Sequence, residues 1–227
     1  MTEEDSARDR KAASRAGAID DESPAGTFGP ADGTQSWSEL AGQSLRCRAC
    51  PLWEPAGPTV FGEGPVPADV MLVGEQPGDH EDRAGRPFVG PAGHVLDEAL
   101  REVGLERSAV YVTNAVKHFK FVPRGKRRIH QTPTAGESAA CRPWLRAELS
   151  LVRPQLLVLL GATAAKSILG PGFRLTKQHG VPVPSDAARH VTATIHPSAV
   201  LRAPPGERDE ALAGLVADLE ASLALLG

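Results

Sequence analysis

Four short apolar runs punctuate the chain: Val70 to Val73, Val110 to Val112, Leu156 to Leu160 and Val191 to Ile195. Each is β-branched or leucine-rich, of strand length and bounded by turn-forming residues, the signature of strands buried on both faces. Helical patterns lie between them. His94 to Val103 carries apolar residues at helical spacing and stops at Gly104; Cys141 to Leu151, Ala162 to Leu169 and Glu210 to Leu226 predict three more helices. Strands alternating with helices predict an α/β fold, a three-layer α/β/α sandwich on a mainly parallel four-stranded sheet. A short helix is expected from Trp37. Residues 1–36 are charged, small, Gly or Pro, too poor in large apolar side chains to offset the entropy of ordering. A disordered tail is expected over 1–36 and one folded domain over 37–227; no internal repeat is evident.

In open α/β sheets ligands bind beyond the carboxyl ends of the strands. The four runs are followed by Gly74-Glu75-Gln76-Pro77-Gly78, Thr113-Asn114, Gly161-Ala162-Thr163 and His196-Pro197-Ser198. Glu75, Asn114 and His196 are therefore expected on one rim. Each alone has a bland reading, as a turn glutamate, a helix cap and a histidine before a proline turn; their convergence makes the rim a candidate site. Neither G-x-G-x-x-G nor G-x-x-x-x-G-K-[ST] is present, so a nucleotide cradle has little support. Gly90-Pro91-Ala92-Gly93 opens a helix with proline in its first turn, where free N–H groups can receive a phosphate. A short basic loop, Lys126-Arg127-Arg128-Ile129-His130, offers cations for phosphates and an imidazole able to act as base, ligand or nucleophile. Taken alone it reads as an ordinary solvated loop.

Charge and cysteine content narrow the class. A net charge of −3 and a pI near 6.2 exclude a uniformly basic nucleic-acid coat but leave room for a local basic site. No apolar run is long enough to span a bilayer, and the acidic start Met1-Thr2-Glu3-Glu4-Asp5 has no signal-peptide core, so the cytoplasm is expected and a membrane is not. Three cysteines, two spaced as Cys47-x-x-Cys50, cannot all pair, and in a reducing compartment that spacing points to a metal or redox site.

Five ordered motifs then carry a resemblance. Gly74-Glu75-Gln76-Pro77-Gly78, Gly85-Arg86-Pro87-Phe88-Val89-Gly90-Pro91-Ala92-Gly93, Thr113-Asn114-Ala115-Val116-Lys117, Cys141-Arg142-Pro143-Trp144 and His196-Pro197-Ser198 resemble the iron–sulfur uracil-DNA glycosylases of family 4. The insertion ending Lys126-Arg127-Arg128-Ile129-His130 resembles that of the UdgX group, which links covalently to uracil-containing DNA. The resemblance runs from about Leu45 to the C-terminus. It implies a uracil-DNA glycosylase-like fold in which Phe88 is a platform for a base taken out of the stack, Asn114 reads the uracil edge, and His196 donates to the developing uracil anion. Gly74 and the backbone N–H groups around Gln76 would help hold the base. It further implies that His130 replaces water as acceptor of the sugar cation, leaving an N-alkylated histidine, with Glu75 positioning or deprotonating it. Arg128, with Lys126 and Arg127, would hold the loop and the phosphates, and Gly93 and Ser198 would touch the DNA backbone.

The family pattern has four cysteine ligands, whereas this chain has His118 where the third is expected. The resemblance therefore implies one structural [4Fe–4S] cluster on Cys47, Cys50, His118 and Cys141; from spacing alone, three Cys and one His suit structural zinc equally. The resulting expectation is a monomer that excises uracil from DNA, accepts single strands, and ends trapped on its product after one turnover. Two rivals stand beside it: an ordinary multiple-turnover hydrolytic glycosylase, and a non-enzymatic, zinc-stapled nucleic-acid-binding module.

Overall fold

The computed structural model describes residues 29–34 and 36–227, so most of the tail expected over 1–36 lies outside the described residues. Helix α1, Trp37–Ser44, is capped by Ser36, whose side chain accepts from the Glu39 N–H. Ahead of it Ala31 N–H donates to Gln43 Oε1 at 2.8 Å.

Four strands form one sheet: β1, Val70–Gly74; β2, Val110–Asn114; β5, Leu156–Leu160; and β6, His190–Thr194. Their order is β2-β1-β5-β6 and every pairing is parallel. Parallel neighbours need crossover connections, and here these are helical. They comprise α2, Asp79–Ala84; α3, Pro91–Glu102; α4, Ala135–Val152; α5, Ala162–Leu169; and α6, Leu175–Gln178. Helices α7, Pro197–Arg202, and α8, Arg208–Leu223, follow β6.

Side chains alternate across the sheet, as the period of two requires. Val70 and Leu72 of β1, with Val110, Val112, Leu156 and Val158, meet Leu96 and Leu100 of α3 and Leu215 and Leu219 of α8. Met71 and Val73, with Leu157 and Leu159, face Leu145 of α4 and Ala164, Ala165 and Ile168 of α5. The expected three layers are present. All five residues of β1, β2 and β5 are buried; at about 1.5–3 kcal/mol per large aliphatic side chain, this two-sided burial dominates the stability.

One element departs from expectation. The basic stretch read as a loop is the second arm of an antiparallel hairpin, β3, Phe121–Arg124, and β4, Arg127–His130. Gly125 holds φ +59° in its two-residue turn, at the position where type II′ hairpin turns favour glycine. A strand rather than a loop makes side chains alternate: Phe121 pairs with His130, and Val122 with Ile129.

Candidate active site

The carboxyl ends of β1, β2, β5 and β6 open into a cavity of about 720 Å³ whose walls include Glu75, Phe88, Asn114, His130, Thr163 and His196. Its floor depends on Gly74, the last residue of β1. A Cβ there would lie 2.4 Å from Asn114 Oδ1 and 2.6 Å from Phe88 Cζ, so only glycine leaves room for both. Phe88 takes φ +54°, a left-handed backbone that costs of order 1–3 kcal/mol for a side chain of this kind and that clusters at binding sites. Its ring stacks with that of His196, centroids 5.9 Å apart and planes 27° apart. Gly93 sits directly beneath: a Cβ there would be 1.9 Å from the Phe88 carbonyl oxygen. Expected as a DNA contact, Gly93 is instead buried, and its visible work is to let Phe88 bend.

Asn114, the last residue of β2, is 2% exposed, and its Oδ1 is buried with no hydrogen-bond partner among the described residues. A buried amide oxygen left without a donor costs about 1–3 kcal/mol, so it calls for a ligand that supplies an N–H or O–H. His196 caps α7. Its Nδ1 accepts from Ser198 N–H at 3.1 Å and lies 2.8 Å from Ser198 Oγ, which in turn accepts from Arg202 at 2.9 Å. A backbone N–H can only donate, so the neutral ring carries its proton on Nε2. Ser198, expected on the DNA backbone, is committed to orienting this ring.

Burial lowers the His196 pKa to about 4, outweighing the opposing pull of Glu75. The ring is therefore a neutral donor at neutral pH. The unfolded chain takes up a proton below about 6.5, whereas the folded chain resists until about 4. Stability should accordingly fall as pH drops through that window, by at most about 3 kcal/mol and less for the part of the ring still in water. His196→Asn keeps a capping acceptor but does not titrate. Denaturant unfolding of both proteins at several pH values should show a shallower acid slope for the variant; equal slopes would remove His196 as the source.

Glu75 follows Gly74, and its Oε1 lies 3.3 Å from His130 Nε2. Among the described residues no hydrogen-bond donor is aligned on that oxygen, so the contact with His130 is electrostatic rather than a made hydrogen bond. Burial raises the Glu75 pKa, but the His130 imidazole and the Thr163 hydroxyl beside it outweigh that, and the net shift is downward. His130 itself is half exposed. The contact falls on Nε2, the nitrogen nearest the carboxylate, so Glu75 favours the tautomer protonated there.

What brings His130 to the rim is a set of anchors on the hairpin. Gln76 Nε2 donates to the carbonyls of Lys120, at 3.2 Å, and Gln131, at 3.1 Å, and its Oε1 accepts from Lys120 N–H at 3.0 Å. The side chain of Gln76, expected near the base only through its backbone, thus clasps both feet of the hairpin. Lys120 Nζ reaches Glu137 of α4 at 2.9 Å. Arg128 pairs with Asp79 and Asp82 of α2 and lies over Phe121 at 4.9 Å and Phe119 at 5.3 Å. Two carboxylates and two aromatic rings engage the guanidinium, which faces inward in these contacts rather than toward the solvent side where a phosphate was expected. Lys126 and Arg127 at the tip are exposed to solvent.

Sequence reasoning missed Glu81, Asp79 and Asp82. Glu81 is 8% exposed and joins the first two motifs, accepting from Gly78 N–H at 3.0 Å and from Gly90 N–H at 2.6 Å. The signal was available in Gly78-Asp79-His80-Glu81-Asp82, an acidic first turn after a glycine, which marks a helix start.

The expected ligand set is buried throughout: Cys47, Cys50 and Cys141 at 5, 9 and 2% exposure and His118 at 3%. Trp144 Nε1 donates to Cys47 Sγ at 3.3 Å, and Lys117 N–H to Cys141 Sγ at 3.5 Å, the kind of N–H···S bonds that tune thiolate ligands. The Cys141 thiol donates to Cys50, which lowers Cys50 to about 7. His118 is held neutral by burial, and its Nδ1 has no partner among the described residues. Three thiols and an unsatisfied neutral imidazole are donors suited to such a group. Among the described residues, however, no three His, Cys, Asp or Glu side chains converge on a single-ion position.

A family profile described as the Uracil DNA glycosylase superfamily matches residues 61–220. The Type-4 uracil-DNA glycosylase of Thermotoga maritima is 42% identical over 158 residues, covering 69% of this chain and 79% of that protein. The Type-4 enzyme of Pyrobaculum aerophilum is 39% identical over 165 residues, 70% of this chain and 81% of its own length. A Type-5 uracil-DNA glycosylase of the same organism is 36% identical over 163 residues, 64% of this chain and 68% of its own.

Proposed function

The chain belongs to the uracil DNA glycosylase superfamily and carries that family's activity on uracil-containing DNA, and we propose that it ends the reaction on its own His130, as a single-turnover protein–DNA adduct. One observation carries this reading: His130 Nε2 stands 3.3 Å from Glu75 Oε1, in the same cavity as Asn114 and His196.

Uracil stacks against Phe88 once it leaves the DNA base stack. Its N3–H satisfies the unpaired Asn114 Oδ1, while the Asn114 NH₂ donates to the neighbouring carbonyl; cytosine offers a lone pair at N3 instead and leaves that oxygen unpaired. The bond between the sugar C1′ and uracil N1 breaks with its electron pair on uracil, and the neutral His196 Nε2–H donates to the oxygen where that charge gathers. The electron-poor C1′ is captured by the lone pair of the neutral His130 imidazole, which lies on Nδ1 in the tautomer Glu75 favours, and the Nε2 proton passes to Glu75 as the new C–N bond forms, leaving a neutral N-alkylated ring. An imidazole alkylated on nitrogen is a poor leaving group, so the adduct persists. Lys126 and Arg127 supply cations at the hairpin tip for DNA phosphates, on single strands included.

Cys47, Cys50, His118 and Cys141 would hold a [4Fe–4S] cluster, which supplies cross-linking rather than redox chemistry and ties the segment before β1 to the base of the hairpin and to α4. Brown protein with iron and acid-labile sulfide matching one cluster is expected; zinc without sulfide would replace this assignment.

Incubation with a uracil-containing single-stranded oligonucleotide, followed by a denaturing gel, tests the function. A shifted band that survives boiling in detergent is expected. Free abasic product with no shifted band would leave the hydrolytic glycosylase, and no reaction at all would leave the nucleic-acid-binding module.

A further inference from the structure

We propose that the buried Lys117–Glu148 pair is a positioning device that fixes Asn114, the residue that reads uracil. The proposal rests on the reading above and extends it to two residues that do not line the cavity.

Lys117 is 1% exposed and Glu148 0%. The three donors of Lys117 Nζ go to Glu148 Oε2, to Thr113 Oγ1 at 2.7 Å and to the backbone carbonyl of Asn114 at 2.7 Å. The other carboxylate oxygen of Glu148 accepts from Tyr111 OH at 2.8 Å, Thr113 Oγ1 at 2.9 Å and Gly62 N–H at 3.1 Å. Tyr111 OH in turn accepts from Trp37 Nε1 at 2.9 Å. Every donor of the ammonium is used, and the network runs from α1 through β2 to α4.

Such a pair is a poor way to stabilise a core, because desolvating two charges offsets most of their attraction and well-packed apolar residues often do as well. A geometric role accounts for it better. Asn114 ends β2, and its side-chain oxygen has no hydrogen-bond partner among the described residues. The direction of its amide is therefore inherited from its backbone and from the packing of Phe88 and Gly74. Lys117 grips that backbone at the carbonyl, from a lysine itself locked by Glu148 on a long helix. A reading group placed for hydrogen bonding tolerates little error, since a displacement of about 1 Å can cost roughly 10²-fold in rate.

The test is the double variant Lys117→Met/Glu148→Gln, which removes both charges while the glutamine oxygen still accepts from Tyr111, Thr113 and Gly62. Three quantities are measured against the wild-type protein: cooperative thermal unfolding, single-turnover uracil release from saturating oligonucleotide, and affinity for an oligonucleotide carrying an abasic site. The expected result is cooperative unfolding and abasic-site affinity within about twofold of wild type, with uracil release slowed roughly 10- to 100-fold and the uracil-over-cytosine ratio reduced. Unchanged release and an unchanged ratio would overturn the proposal, as would a parallel loss of release and abasic-site affinity in a folded variant. If the double variant fails to unfold cooperatively, Glu148→Gln alone is read by the same criteria. Wild-type protein that releases no uracil would instead remove the functional reading beneath the proposal.

Discussion

Replacing His130 with alanine should eliminate the denaturation-resistant protein–DNA species entirely while uracil release continues. The first half follows from position: among the residues lining the cavity, His130 is the nucleophile held against a carboxylate at 3.3 Å. The second half follows from what the substitution leaves standing. Asn114, His196 and Phe88 occupy other elements and act on the departing base, so bond breaking does not depend on the acceptor. Glu75 Oε1 already lacks an aligned donor; with the imidazole gone, a water in its place meets both that oxygen and the sugar cation. The variant thus becomes hydrolytic, releasing abasic DNA and turning over. Denaturing gels scored for adduct and for alkali-labile product measure the two halves separately. An undiminished shifted band would take His130 out of its role.

The second large effect is expected at Asn114. Asn114→Ala should slow uracil release by about 10²–10³-fold, the usual cost of removing one preorganised donor or acceptor from a site that stabilises a developing charge. Folding should change little, because Asn114 Oδ1 makes no hydrogen bond among the described residues that the substitution would break. Removing a buried, unpaired amide can even raise stability slightly. Reduced release with unchanged or higher thermal stability is therefore the expected pair of results. Unchanged release from saturating substrate would show that the uracil edge is read elsewhere.

The sheet was legible in the chain because burial on both faces leaves runs that hardly any other element produces. Leu156–Leu160 matches its strand residue for residue, and the other three runs shift by one or two positions. The helices were legible where one face is apolar and less so at their ends. Helix α4 begins six residues before the expected Cys141, because its start is set by the Thr134–Glu137 capping box, a polar signal outside the apolar repeat. The hairpin was missed because three of its eight strand side chains are arginines and its strands are four residues long, leaving too little alternation to read.

The candidate site divides along the same line. That Glu75, Asn114 and His196 share a rim follows from the sequence alone, since strands running parallel must deliver the residues after them to the same edge. Which way each side chain points does not follow, because orientation depends on neighbours distant in the chain. Gln76 and Arg128 are the clearest cases: both belong to motifs near the site, yet one clasps the hairpin's feet and the other is drawn inward by Asp79 and Asp82. No local pattern announces a partner about fifty residues away. Sequence by itself determined the layers, the rim and the chemical types gathered there, because these depend on periodicity and on chain direction. Tertiary structure alone decided that His130 meets Glu75, that Asn114 Oδ1 keeps no partner among the described residues and that Glu148 locks Lys117, because each rests on contacts between segments that meet only when the core closes.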